Sequence, residues 1–165
     1  MNETHPGVPG TRRRKTEQMG LLRRIETVTP LLIIPVIIYG VMSLLAGSDH
    51  GPDGPAILGM LNSTLISMPM ISGVRWILTA GDALLVLSLI VLSIEIMKST
   101  STRSSAMINH VASMFVLLFC IVMFLLVGNF ATGVFFLLTL ITLMDVLVGV
   151  IVSIVSARRD FGVGD

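Results

Sequence analysis

The sequence predicts an all-α polytopic membrane protein, a four-transmembrane-helix bundle with a short interfacial helix on its outer side. Three observations lead there. The 165-residue chain is 53% hydrophobic, with a mean hydropathy of +0.92. Only 13% of its residues are charged, against roughly 25% in soluble domains. Four apolar stretches come close to or exceed the length of about 20 residues that spans a hydrocarbon core. The basic residues gather between and beyond those stretches rather than within them.

Residues 1–28 form a basic tail with Arg12, Arg13, Arg14, Lys15, Arg23 and Arg24. No cleavage site stands out, so the first apolar run reads as an uncleaved signal-anchor. Within the tail, Thr16 to Val28 places Leu21, Ile25 and Val28 on one helical face. That pattern fits a helix lying on an anionic leaflet. A disordered tail fits its polarity equally.

The membrane domain is expected over residues 29–157. Its first span is about 29–46, "TPLLIIPVIIYGVMSLLA", with Pro30 at the helix start and Pro35 expected to kink it. The second is about 75–98, the third about 106–129 and the fourth about 131–157. A tight turn at "GNFATG" makes the last two an antiparallel hairpin. Residues 158–165 form a C-terminal tail. Between the first two spans, "GSDHGPDGP" reads as turns. The following apolar run is too short to span, and Ala56 to Ser67 is expected as a helix in the outer interface or capping the bundle.

Orientation follows from charge. Cytoplasmic loops retain Lys and Arg. With both termini inside, ten of the eleven basic residues lie on one side. The exception is Arg75, beside the interface-favouring Trp76.

Polar residues inside the spans are the candidate sites. Asp145 lies near the middle of the fourth span, where an ionised carboxylate costs roughly 2.5–3.5 kcal/mol on the insertion scale. Thr142, Asp145, Gly149 and Ser153 recur at spacings of three or four, a small and polar stripe of the kind that lets membrane helices pack closely. No basic residue is expected at the depth of Asp145, so it should be neutral and hydrogen-bonded to a neighbouring helix. In the second span, Asp82 falls on the face of Thr79 and Arg75, and Glu95 lies three residues from Lys98. In the third, Ala106, His110, Ser113 and Cys120 recur at helical spacing. Glu95 and His110 should lie at similar depth, with Asn109 beside them. Asp82 and Asp145 should be separated vertically by near 8 Å, at about 1.5 Å per residue. Asp82, Glu95, His110 and Asp145 together are candidate intramembrane polar or proton sites.

Other chemistry finds little support. One histidine in the spans does not make a bis-histidine haem site, and the lone Cys120 makes no redox pair. Cys120 is expected to pack as a small hydrophobe. His50, Met60, Met68 and Met70 offer soft ligands suited to copper(I), but methionine is equally an ordinary apolar residue. No phosphate loop, nucleophile elbow or HExxH is present. No enzyme, cofactor or nucleic-acid partner is expected.

The stretches "GDALLVLSLIVLSIEIMKST", "FFLLTLITLMDVLVG" and "SARRDFG" resemble small, uncharacterised four-helix bacterial inner-membrane proteins. The resemblance implies a location and a fold, and no activity. The expected function is a small integral accessory, assembly or structural subunit of a larger inner-membrane complex. Its partners would be the bilayer and either another membrane protein or further copies of itself. The alternative is a proton- or cation-coupled transporter or channel using Asp145 and Asp82.

Overall fold

The structure, a computed structural model, describes residues 30–47, 54–99 and 105–161. The basic N-terminal tail with its Thr16–Val28 segment, His50, Arg103 and residues 162–165 lie outside the described residues. The elements are α1 (Ile33–Ala46), a one-turn α2 (Leu58–Leu61), β1 (Thr64–Pro69), β2 (Arg75–Thr79), α3 (Ala80–Ser99), α4 (Ser105–Leu126) and α5 (Gly133–Phe161).

Three of these helices, α3, α4 and α5, are long and apolar enough to cross a membrane. They are apolar on nearly every side, the composition of a helix buried in a large core or in a membrane. The α1 helix is equally apolar but has only 14 residues, about 21 Å at about 1.5 Å per residue. The expected first span is thus represented by a shorter helix, and a four-span bundle is not established by length.

Pro35 does not kink α1. Because the helix begins at Ile33, Pro35 falls in the first turn, where a backbone N–H has no intrahelical acceptor and its absence costs nothing.

At the centre lies α5, packed against both α3 and α4. The α4–α5 connection is a short 3₁₀ turn, Gly128–Phe130, which makes the two helices the expected antiparallel hairpin. Gly81 lets the starts of α3 and α5 approach closely. A Cβ there would come within 2.9 Å of the Val134 side chain and 3.3 Å of the Leu61 carbonyl oxygen. The core fills the same end of the bundle. Tyr39, Phe130 and Phe135 form an aromatic cluster with ring centroids 4.7–5.3 Å apart. Ile57 and Leu61, from the turn around α2, are buried against it.

The segment expected as an outer helix over Ala56 to Ser67 is mostly something else. Helix is confined to Leu58–Leu61. Thr64–Pro69 then pairs antiparallel with Arg75–Thr79, the latter expected as the start of the second span. The residue types explain the change, since Thr, Ile, Val and Trp fit a pleated strand. Ile71, Ser72 and Gly73 make a three-residue hairpin loop. Gly73 N–H donates to Met70 O (3.0 Å) with φ at +83°, the left-handed position that such loops give to glycine. The register pairs Ile66 with Leu78, Ser67 with Ile77, Met68 with Trp76 and Pro69 with Arg75, after a bulge at Leu65.

The strand β2 runs into α3 without a linker. Thr79 ends the strand and caps the helix, two roles that share extended backbone geometry. Asp82 N–H donates to Thr79 Oγ1 (3.2 Å), and Thr79 N–H donates back to Asp82 Oδ2 (3.0 Å). The Thr79 hydroxyl also lies 2.7 Å from that carboxylate oxygen. This reciprocal arrangement is a capping box, with Asp in the place usual for Glu.

Candidate functional site

Two polar layers bracket the bundle, one near Glu95 and one near Asn129. The Glu95 layer holds most of the sequence-predicted site residues.

Glu95 sits in the last part of α3 and is 1% exposed. One carboxylate oxygen accepts the backbone N–H of Leu31 (2.5 Å). The other accepts from Asn109 Nδ2 of α4 (2.6 Å). Leu31 lies in the turn leading into α1, where amide groups point outward without intrahelical acceptors. A carboxylate is well suited there, because a helix start carries partial positive charge. Glu95 therefore joins three helices. The expected proximity of Glu95 to the start of α4 is present, but its partner is Asn109 rather than His110. Both carboxylate oxygens are engaged in these contacts.

His110 faces α5 instead. Its imidazole lies directly against Gly149, and a methyl group there would overlap the ring. Beside it, Ser113 is the hydrogen-bonding neighbour of the buried Asp145 carboxyl. Further along, Cys120 is fully buried with the Thr142 hydroxyl as its neighbour. The pairs His110–Gly149, Ser113–Asp145 and Cys120–Thr142 form successive rungs between antiparallel helices. The small-polar stripes read separately on the two spans thus face one another. Their hydroxyls do less cross-linking than expected. Thr142 donates to Thr139 O (2.8 Å) and Ser153 to Gly149 O (2.8 Å), both within α5.

A cavity of about 10 Å³ lies among Asn109, His110, Ser113, Asp145 and Gly149, at the lower limit of room for one water. Asn109 Oδ1 and His110 Nδ1 are buried without a hydrogen-bond partner among the described residues. Glu95, His110 and Lys98 act electrostatically on Asp145.

Asp82 stands apart from this layer. It is at the exposed start of α3, while Gly81 meets Val134 near the start of α5. Asp145 lies eleven residues beyond Val134. The two carboxylates are therefore separated along the bundle by about 15 Å rather than about 8 Å, at about 1.5 Å of rise per residue. Asp82 bonds to Thr79, its cap partner, and not through it to Arg75.

The second polar layer was not foreseen. Tyr39 of α1 is fully buried. Its hydroxyl donates to Asn129 O (2.9 Å) and lies 2.6 Å from Thr132 Oγ1. Asn129 Nδ2 donates back to the carbonyls of Ser43 (3.2 Å) and Gly47 (2.7 Å), at the end of α1. The turn "GNFATG" is thus a clamp as well as a connection. A lone Tyr in an apolar run was the available signal, since a buried phenol needs a partner.

Between these clamps α1 and α4 leave an open apolar groove of about 970 Å³, lined by residues including Val36, Gly40, Leu44, Phe115, Phe119 and Met123. Among the described residues, no group of three His, Cys, Asp or Glu side chains is placed to hold a metal ion. Met68 and Met70 lie on the exposed hairpin, and Met60 lies in α2.

Comparison with protein-family models, curated proteins and solved structures finds no match.

Proposed function

We propose that the chain is a small, non-enzymatic integral subunit or assembly factor of a larger bacterial inner-membrane complex, with four spans and both termini in the cytoplasm. The observation that carries this reading is the employment of its helix carboxylates. Asp82 caps α3, Glu95 ties α1 to α3 and α4, and Asp145 meets Ser113 between α4 and α5. Each of these three acids has a local structural partner, as expected where polar groups hold a membrane bundle together. The fourth span is supported by the way α1 is tied at both ends, from Leu31 at the Glu95 layer to Gly47 at the Asn129 layer. The orientation is supported by ten of eleven basic residues falling on one side.

The groove between α1 and α4 offers this subunit a place for a partner's transmembrane helix. No neighbouring side chain lies within 4 Å of where a Cβ on Gly40 or Gly47 would be, and small residues allow close helix approach. Photo-crosslinking in native membranes tests the reading. A crosslinker at Phe119 should give a discrete heterologous adduct that Gly40→Leu removes, while one at Leu147 should not. Equal labelling at both sites, or lipid adducts alone, would refute it.

A second reading, proton or cation passage through Asp145 and Asp82, has one specific support: the small cavity beside Asp145 with the unpartnered His110 Nδ1. It requires Asp145→Asn to preserve folding and abolish ion-coupled flux in proteoliposomes.

A further inference from the structure

We infer that the β1–β2 hairpin is a lipid-binding surface, resting its apolar face in the headgroup layer at the Asn129 end of the bundle while Arg75 binds a lipid phosphate.

The register sorts the side chains by face, because directly paired residues in an antiparallel ladder point the same way. Ile66, Met68, Trp76 and Leu78 share one face. The Met70–Val74 hydrogen bond extends that register and adds both residues to it. Ser67, Pro69, Arg75 and Ile77 take the other face. Ile66, Met68, Met70, Val74 and Trp76 are all exposed, and Ile71 at the tip is entirely so. A two-stranded hairpin by itself is at best marginally stable in water. This one presents six apolar side chains in a row, so its stability calls for a cover.

Position and chemistry identify the cover as lipid. The hairpin passes directly into α3, a helix long and apolar enough to span. It therefore starts at the membrane boundary, the level at which tryptophan concentrates in spanning proteins. The Arg75 guanidinium makes no hydrogen bond or ion pair with the described residues. It lies on the opposite face to Trp76, beside Ser67 and Pro69. With the apolar face down at the boundary of acyl chains and headgroups, that upper face meets the phosphates. Guanidinium groups match phosphate oxygens in two-point hydrogen bonds. Interfacial segments use this combination of an apolar face and a cationic one.

Trp76 is the sole tryptophan of the chain, so its fluorescence reports on the hairpin alone. The intact protein would be reconstituted into vesicles of phosphatidylcholine with phosphatidylglycerol, brominated either near the carbonyl end or near the methyl end of the acyl chains. The expected result is strong quenching by the shallow bromines, weaker quenching by the deep ones and little by aqueous acrylamide. Arg75→Gln, with helix content by circular dichroism unchanged, should reduce the shallow quenching and raise that by acrylamide. Quenching by acrylamide alone would put the hairpin in water and overturn the proposal. Protection from every quencher would mean cover by protein, such as a second copy, and would overturn it too. Stronger quenching by the deep bromines would replace an interfacial hairpin with an inserted one. An unchanged Arg75→Gln profile would refute the phosphate contact.

Discussion

The carboxylate of Glu95 accepts the backbone N–H of Leu31, 64 residues earlier in the chain. A side chain from the last part of one helix thus completes the start of another, while its second oxygen holds Asn109. Glu95→Ala would leave both donors buried without acceptors. A loss of about 3 kcal/mol is expected, from hydrogen bonds to a charged group worth roughly 1.5–3 kcal/mol each and incompletely additive. Glu95→Gln keeps an acceptor oxygen and should lose less than half of that. Unfolding in detergent mixtures, followed by circular dichroism, gives the comparison.

At the opposite clamp, Tyr39→Phe removes one hydroxyl and leaves the aromatic cluster in place. The expected cost is about 1–2 kcal/mol, the range for losing buried hydrogen bonds and leaving their partners unsatisfied. Asn129→Ala should cost at least as much, because it frees the carbonyls of Ser43 and Gly47. Thermal unfolding in detergent, with the two changes combined, should show strong coupling, since both act on the same end of α1.

Gly149 and Ser153 lie one turn apart on the same stripe and should respond differently. Gly149→Ala drives a methyl group into His110 and should destabilise by about 1–3 kcal/mol, the usual cost of overpacking. Ser153→Ala removes only a hydroxyl that returns to its own helix at Gly149 O. It should change stability by less than about 0.5 kcal/mol. The pair separates close packing from hydroxyl bonding as the basis of the α4–α5 contact.

Asp82→Ala breaks the capping box and should cost about 1 kcal/mol, as loss of a helix cap does. Asp82→Asn retains an oxygen acceptor for Thr79 N–H and should keep most of the stability. The same Asn variant should leave ion flux at background, because the subunit reading gives Asp82 no part in transport. Flux that is present in the parent protein and lost in Asp82→Asn would favour the transporter instead.

The α4–α5 contact was legible because both of its halves announce themselves. His110, Ser113 and Cys120 on one helix and Thr142, Asp145 and Gly149 on the other interrupt apolar runs at helical spacing. The short turn between them leaves antiparallel packing as the way to bring them together. The hairpin was hidden by composition. "AILGMLNSTLISMPMISG" is apolar throughout, and a short apolar run does not distinguish strand from helix. The Ser72–Gly73 turn with Thr, Val, Ile and Trp around it was the readable sign. The Glu95 contact was hidden for another reason, since its partner is a main-chain amide. Any residue but proline can supply that group, so no side-chain pattern marks it. Distance misled as well. Placing Asp82 near Asp145 assumed that the second helix began at Arg75, and five residues of strand shifted the level.

The two clamps on α1 also set an order in time. Leu31 waits for Glu95, and the carbonyls of Ser43 wait for Asn129, 86 residues later. Made from the N-terminus at about 5–20 residues per second, the chain leaves α1 for roughly 4–17 seconds without the residues that secure its far end. Tyr39 begins that interval with a phenol and no acceptor from the turn. The first of the described helices to be synthesised is therefore among the last to be fastened, and the turn between α4 and α5 is the latch. A nascent chain arrested before Asn129 should hold α1 loosely, and one released after Thr132 should hold it firmly.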